Sequence, residues 1–184
     1  MKLKVLKREH GTKGQISSLL QEGQIPAILY VKGKENLVIS VDRGEFEGIL
    51  RSIRKGFLST TIFEIELDGK KKKALVKDIQ YHKTTYNVIH LDFQEIYEDV
   101  RLNVSIPLEF TGVADCSGIK LGGFLRPVKR SIKVNCFPKD IPQCFSVDIR
   151  DLGIKQNKRV RDLDVKGDVR VLSDSDNVIV VIAK

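Results

Sequence analysis

Tryptophan is absent from this chain, methionine occurs once, and histidine only at His10, His82 and His90. With so few histidines and no serine or cysteine in a nucleophile motif, a catalytic triad has little material. The three cysteines, Cys116, Cys136 and Cys144, form no C-x-x-C pair. Their spacing suits neither a zinc site nor a disulfide framework, and implies reduced thiols in a cytoplasmic protein. No apolar run approaches the roughly 18 residues of a membrane span. The first ten residues alternate charged and apolar side chains, unlike the continuous apolar core of a signal peptide. A membrane partner is therefore not expected.

What is present is positive charge. The 184 residues carry a formal net charge of +8, with 41% hydrophobic and 30% charged residues. That mixture builds a core and is not a disordered tail. The basic balance favours an anionic partner, of which RNA and DNA are the commonest. It also fits a merely basic soluble protein. Residues 1–97 hold 17 basic and 12 acidic side chains, and residues 98–184 hold 15 and 12, so both halves are basic.

The most informative stretch is Lys73 to Tyr97. Two runs rich in β-branched and aromatic residues flank a polar break, Lys83 to Asn87, and predict a β-hairpin. In the second run Ile89, Leu91 and Phe93 alternate with His90, Asp92 and Gln94, the period of a half-buried strand. Antiparallel pairing around the break sets Gln80 opposite His90 and Asp78 opposite Asp92. One surface then shows amide, imidazole and carboxylate. Facing aspartates repel, which calls for a neighbouring lysine or a donor-rich ligand.

Upstream, Lys2 to Arg8 reads as a strand with Leu3 and Val5 inward. Thr12 and Gln15 predict a capping box opening a short helix with Ile16, Leu19 and Leu20 as its apolar stripe, ended by Gly23. Ile25–Val31 and Leu37–Val41 are strands. Asp42 to Glu45 predicts a second capping box. Its helix buries Phe46, Ile49, Leu50 and Ile53, with Arg54 and Lys55 in its last turn and Gly56 ending it. Strand Thr60–Leu67 turns into the hairpin at Asp68-Gly69. The expected fold is an α+β domain over residues 1–97, an antiparallel sheet or small β-barrel with two helices.

Beyond Tyr97 no run longer than a turn has helical period. Strand candidates fall at Val100–Phe110, Lys129–Phe137, Phe145–Ile149, Val169–Leu172 and Val178–Ala183, separated by glycine and proline turns. A mostly-β domain over residues 98–184 is expected. The GIKLGG stretch, Gly118 to Gly123, is no phosphate-binding loop: no helix follows it and it lacks a Gly-Lys-Ser/Thr end. A tight turn is expected there, with Arg126, Lys129 and Arg130 as a possible basic contact.

The hairpin residues also resemble a known family. Val76-Lys77-Asp78-Ile79-Gln80, His82 and His90-Leu91-Asp92-Phe93 occur in the order found in the large-subunit ribosomal proteins that bind 5S ribosomal RNA, in their two-domain, general stress protein Ctc form. Arg8, Lys13, Gly14 and Gly23 through Tyr30 match as well. In the second half so do Val113-Ala114, Leu121 to Leu125, Pro138 to Pro142, Val147-Asp148-Ile149 and Asp162-Leu163. Each motif is short, but their shared order spans nearly the whole chain. The resemblance implies a non-enzymatic structural component of the large ribosomal subunit. Its first domain would grip the irregular loop E helix of 5S RNA in the central protuberance. The second would dock on neighbouring RNA or protein. A monomer on the ribosome, needing no cofactor or metal, is the simple expectation.

The RNA-binding residues so implied are Lys7, Arg8, Lys13, Gly14, Ser17, Tyr30, Lys32, Lys77, Gln80, His82, His90 and Asp92. Gln and His bond base edges and 2′-hydroxyls, Asp accepts from a guanine amino group, and Lys binds phosphate. From the residues alone, the hairpin face reads first as a solvated strand face, and the resemblance reverses that order. A metal site at His82, His90 and Asp92 lacks a third strong ligand, and Asp78 with Asp92 as an acid/base pair needs a cleft that nothing predicts. The chain departs from the family at Ser17, Ser18 and Leu20, where relatives commonly carry arginine. Each lost phosphate contact lowers the log–log salt slope by about 0.7–0.9, so weaker, less salt-sensitive binding is expected, with Lys2, Lys4, Lys32 and Lys34 as compensation. Those missing arginines keep one alternative open, a stress-induced protein acting off the ribosome by protein–protein contact. The run Lys70 to Lys73 is either a solvated hairpin tip or a phosphate patch.

Overall fold

A computed structural model describes every residue except His10, Lys32, Lys34, Asp68 and Lys166. The expected turn residue Asp68 and the candidate contacts Lys32 and Lys34 lie outside the described residues. The chain divides into two compact units, Met1–Tyr97 and Glu98–Lys184.

In the first unit six strands close into a barrel. They are β1 (Lys2–Lys7), β2 (Gln24–Tyr30), β3 (Leu37–Asp42), β4 (Ile62–Leu67), β5 (Lys70–Tyr81) and β6 (Val88–Glu95), in the order β1-β3-β2-β6-β5-β4. Of the two forms expected, the barrel is the one found. The β1–β4 and β2–β6 pairings are parallel, so the sheet is mixed rather than antiparallel. The alternation of Leu3 and Val5 with lysines sends the apolar pair inward, and both are buried. Helix α2 (Arg43–Ser52) starts where Asp42 accepts a hydrogen bond from the Glu45 amide at 2.8 Å. It buries Phe46 completely. The Phe46 ring stacks on Phe63 at 6.4 Å between centroids, and Phe63 meets Phe93 edge-on at 6.1 Å. These three rings fill much of the lumen, as side chains do in small barrels. The helix ends at Ser52, so Arg54 and Lys55 belong to the turn after it, and Arg51 holds the last-turn position.

Helix α1 (Lys13–Gln21) opens as expected: the Gln15 side-chain oxygen accepts from the Thr12 amide at 2.8 Å. Its Ile16, Leu19 and Leu20 are only half-buried, and the helix lies on the barrel's surface.

The hairpin has the expected central register, with Gln80 opposite His90 and Asp78 opposite Asp92. On either side a residue is extra. Val76 pairs with Phe93 and Asp78 with Asp92, leaving Lys77 as a bulge on β5. Gln80 pairs with His90 and Tyr81 with Val88, leaving Ile89 as a bulge on β6. The second bulge corrects the expected alternation. Val88, not Ile89, is buried in the core with Leu91 and Phe93, because an extra residue flips the side-chain parity beyond it.

The second unit is mostly β, as expected. One sheet runs in the order β10 (Phe145–Asp148), β7 (Leu102–Thr111), β9 (Ser131–Cys136), β12 (Arg170–Val171). The other is β11 (Asn157–Arg159), β13 (Val178–Ala183), β8 (Phe124–Pro127). Strands β8 and β11 and a four-residue helix, α3 (Ser117–Lys120), are additions to the expected set. The helix runs from Ser117 into the first three residues of GIKLGG, and the turn after it includes Gly122 at φ +89. A Cβ on Gly123 would stand 2.8 Å from both the Gly118 carbonyl and Ile182. That position needs glycine because the turn closes tightly onto β13. Cys116, Cys136 and Cys144 form no disulfide. Among the described residues no helix is long and apolar enough to cross a membrane.

Candidate nucleic-acid interface

The outer faces of β2, β6 and β5 form one surface, polar along β5 and β6 and partly apolar on β2. The parallel β2–β6 register sets Ile28 beside Asp92 and Tyr30 beside Gln94, and the β5–β6 ladder adds Asp78 and Gln80. Among the described residues, each of the two facing aspartates has a donor group beside it. Asp78 Oδ1 accepts the Ile79 amide at 2.9 Å. The Tyr30 phenol lies beside Asp92. Burial first, then the charge and acceptor oxygens of Asp92, push it above its usual range. His90 Nδ1 also stands 3.1 Å from Asp92 Oδ1. The pair is close enough for charge attraction, but the nitrogen is buried with no hydrogen bond, so contact and alignment disagree. We read it as a proximity pair whose hydrogen-bonding capacity is unused. Tyr30, Asp92 and His90 thus form one half-buried cluster, with Gln80 across the ladder from the imidazole.

His82 serves a different purpose. It stands where β5 gives way to the hairpin loop, and its Nδ1 accepts from the amides of Thr85 at 3.2 Å and Thr84 at 3.4 Å. Two N–H groups aimed at Nδ1 place the proton on Nε2. The ring therefore holds the loop with one edge and offers a donor with the other. The loop closes with the His82 amide donating to Asn87 and Tyr86 donating back to the His82 carbonyl. Tyr86 sits at φ 57 and is 77% exposed.

Between α1 and this sheet lies a groove of about 380 Å³ that includes Arg8, Ile16, Gln80 and His90 in its lining. Arg8 is fastened there by Nε donating to the Ile39 carbonyl at 3.0 Å. Burial lowers its pKa, but a guanidinium keeps its charge. Lys13, Gly14 and Ser17 lie exposed on α1. A Cβ on Gly14 would meet nothing within 4 Å, so the first turn of α1 leaves its backbone open on that side. Ser17 Oγ donates to the Lys13 carbonyl at 3.2 Å. The amide-rich start of a helix with no acidic residue in its first turn favours an anion such as phosphate.

The fold brings together Arg8, Gln80 and His90, with Tyr30 and Asp92 beside them and Lys13, Gly14 and Ser17 on the adjoining helix. It does not bring in two of the predicted lysines. Lys7 follows the parity of Leu3 and Val5, opposite to Arg8, and is exposed at the end of β1. Lys77, on its bulge, lines a separate groove. Lys32 lies outside the described residues. The lysine run is engaged across the sheet. Lys73 and Lys71 face Glu64 and Glu66, and Lys72 Nζ meets Glu95 Oε2 at 3.1 Å. Among the described residues no three or more His, Cys, Asp or Glu side chains are grouped to hold a metal ion.

One positioning residue escaped sequence reasoning. Arg43 Nη2 donates to the Leu20 carbonyl at 2.8 Å, tying the end of α1 to the start of α2. The only signal was an arginine just after the Asp42 cap, which also reads as a solvated charge.

A barrel whose amide–imidazole–carboxylate sheet face adjoins Arg8 and a helix opening on Lys13 has the features of an RNA-binding domain. Comparison with protein families gives the class. Residues 3–93 match the model of the ribosomal L25p family, and residues 101–184 match that of the ribosomal protein TL5 C-terminal domain. Among similar proteins, that of Chlamydia caviae is 41% identical over 184 residues and that of Chlamydia trachomatis serovar A 43% identical over 186, each covering all of both chains. The protein of Chlamydia pneumoniae is 39% identical, again end to end. All three bear the name large ribosomal subunit protein bL25. The chain belongs to the ribosomal L25p family.

Proposed function

We propose that the chain is a structural component of the large ribosomal subunit, located with ribosomes in the cytoplasm, and that its first unit binds 5S ribosomal RNA at the irregular loop E helix. The large-subunit names of its full-length relatives support the coarser part of that reading. The finer part rests chiefly on one observation: Gln80 and His90 face each other across the ladder, in the groove beside α1, with the Tyr30–Asp92 pair adjoining. That face offers donors and acceptors matched to base edges and 2′-hydroxyls. The exposed first turn of α1 and Arg8 take phosphates. The second unit docks on neighbouring RNA or protein.

The test is a titration of the full chain against a 5S RNA fragment containing loop E, with His90→Ala and Asp92→Ala beside it. Each substitution is expected to weaken binding by about 1–3 kcal/mol. Affinity no greater than for unrelated duplex RNA, unchanged by both substitutions, would overturn the assignment.

A further inference from the structure

A second groove in the first unit, of about 760 Å³, lies away from α1. It runs beside an incompletely paired strand. The β4–β5 ladder begins at Ile62 opposite Leu75, so from Val76 to Tyr81 strand β5 is paired through β6 alone. On its other side stand the end of α2, the turn after it, and the single 3-10 turn Leu58–Thr60. The floor is apolar, with Ile53, Leu58 and Ile79 half-buried there. The rim is cationic: Arg51, Arg54, Lys55 and the bulged Lys77 surround it, against the one carboxylate of Asp78. Arg51 lies 3.6 Å from Glu47, and Arg54 stacks over Phe57 at 5.2 Å. Lys55 and Lys77 are exposed.

A strand edge with no ladder partner beyond Leu75, an apolar floor and a positive rim answer three features of one kind of ligand. We propose that this groove docks an extended acidic segment of a partner protein. Its main chain lies along the Val76–Tyr81 edge, its apolar side chains enter the floor, and its carboxylates meet the rim. Strand addition supplies main-chain hydrogen bonds, and alternate side chains supply specificity. Nucleic acid would satisfy the rim alone, because a phosphate backbone has no use for an unpaired strand edge or for three aliphatic side chains. The bulge at Lys77 fits this assignment. It carries that lysine away from the Gln80–His90 face and onto the groove, leaving one barrel with an RNA face and a protein face.

The experiment titrates the full chain with a fluorescein-labelled peptide of alternating glutamate and valine, and repeats it with a peptide of alternating lysine and valine. Amide exchange is read with and without the acidic peptide. The acidic peptide is expected to bind and the basic one not, with slowed exchange within Val76–Tyr81. Lys55→Glu with Lys77→Glu is expected to weaken binding about tenfold, since two rim attractions become repulsions. Lys133→Glu with Lys184→Glu, an equal charge change elsewhere, should leave it unaltered. Three results would overturn the proposal: no binding of the acidic peptide, equal weakening by both pairs of substitutions, or duplex RNA protecting the same amides in its place.

Discussion

His90 and Asp92, two residues apart on the outer face of β6, bring imidazole Nδ1 within 3.1 Å of a carboxylate oxygen without forming a hydrogen bond. Asp92 is at the same time the carboxylate that, second to burial, raises the pKa of the Tyr30 phenol. Groups sharing one carboxylate act as a unit. The effects of His90→Ala and Asp92→Ala on RNA affinity should therefore not add. A double-mutant cycle is expected to give a coupling of about 0.5–3 kcal/mol. Strict additivity would mean that the two residues contact RNA independently.

Ser17 occupies an exposed position on α1, one at which the family resemblance leads us to expect arginine. Ser17→Arg restores a cation there, and it should raise affinity for the loop E fragment. It should also steepen the log–log salt dependence by about 0.7–0.9. Tighter binding with an unchanged slope would show that the new side chain works by something other than phosphate neutralisation.

Arg43 holds the end of α1 through the Leu20 carbonyl. Arg43→Ala removes a charge-assisted hydrogen bond of about 1.5–3 kcal/mol. The loss should be felt locally, as faster amide exchange in Lys13–Gln21 and weaker RNA binding, with the barrel amides little changed. Uniformly faster exchange over the whole unit would place the role of Arg43 in global stability instead.

In the second unit Arg150 grips Asp148 through its side chain, with Nη2 2.6 Å from Oδ2, and through its own amide at 3.0 Å. These hydrogen bonds draw the Asp148 carboxyl down from its ordinary 3.8 to about 2. A carboxylate depressed in the fold stabilises it above the unfolded-state value, and that contribution fades as pH falls through about 2. Carbon-detected titration should find Asp148 still ionised at pH 3, and Arg150→Ala should return it toward the ordinary range. Titration of wild-type Asp148 near 4 would show that the grip does not persist in solution.

Much of the first unit was legible because its pattern is strong. The Lys83–Asn87 break fixed the central register, which sets Gln80 against His90 and Asp78 against Asp92. The bulges were not legible. Val88 and Ile89 are both β-branched and apolar, so periodicity cannot say which one turns inward. The resemblance grouped Lys77 with Gln80 through the Lys-Asp-x-Gln motif; the extra residue in the ladder, which no local pattern records, sets it on a separate groove. Strands β8 and β11, at four and three residues, are too short to show a period, and their pairing with β13 is a tertiary effect. The direction of the β1–β4 and β2–β6 pairings likewise depends on how the barrel closes, which no local pattern records.

That closure sets a timetable for the growing chain. Strand β1 can pair with β3 once some forty residues have been made, but its parallel partner β4 comes more than twenty residues later. Until then one side of β1 has no neighbour, and an incomplete barrel invites association with another chain. Lys2 and Lys4 stand on that strand and end up beside Glu64 and Glu66. Before β4 arrives, the same two charges repel a second copy adding there, so they guard the unfinished protein before they join the finished one.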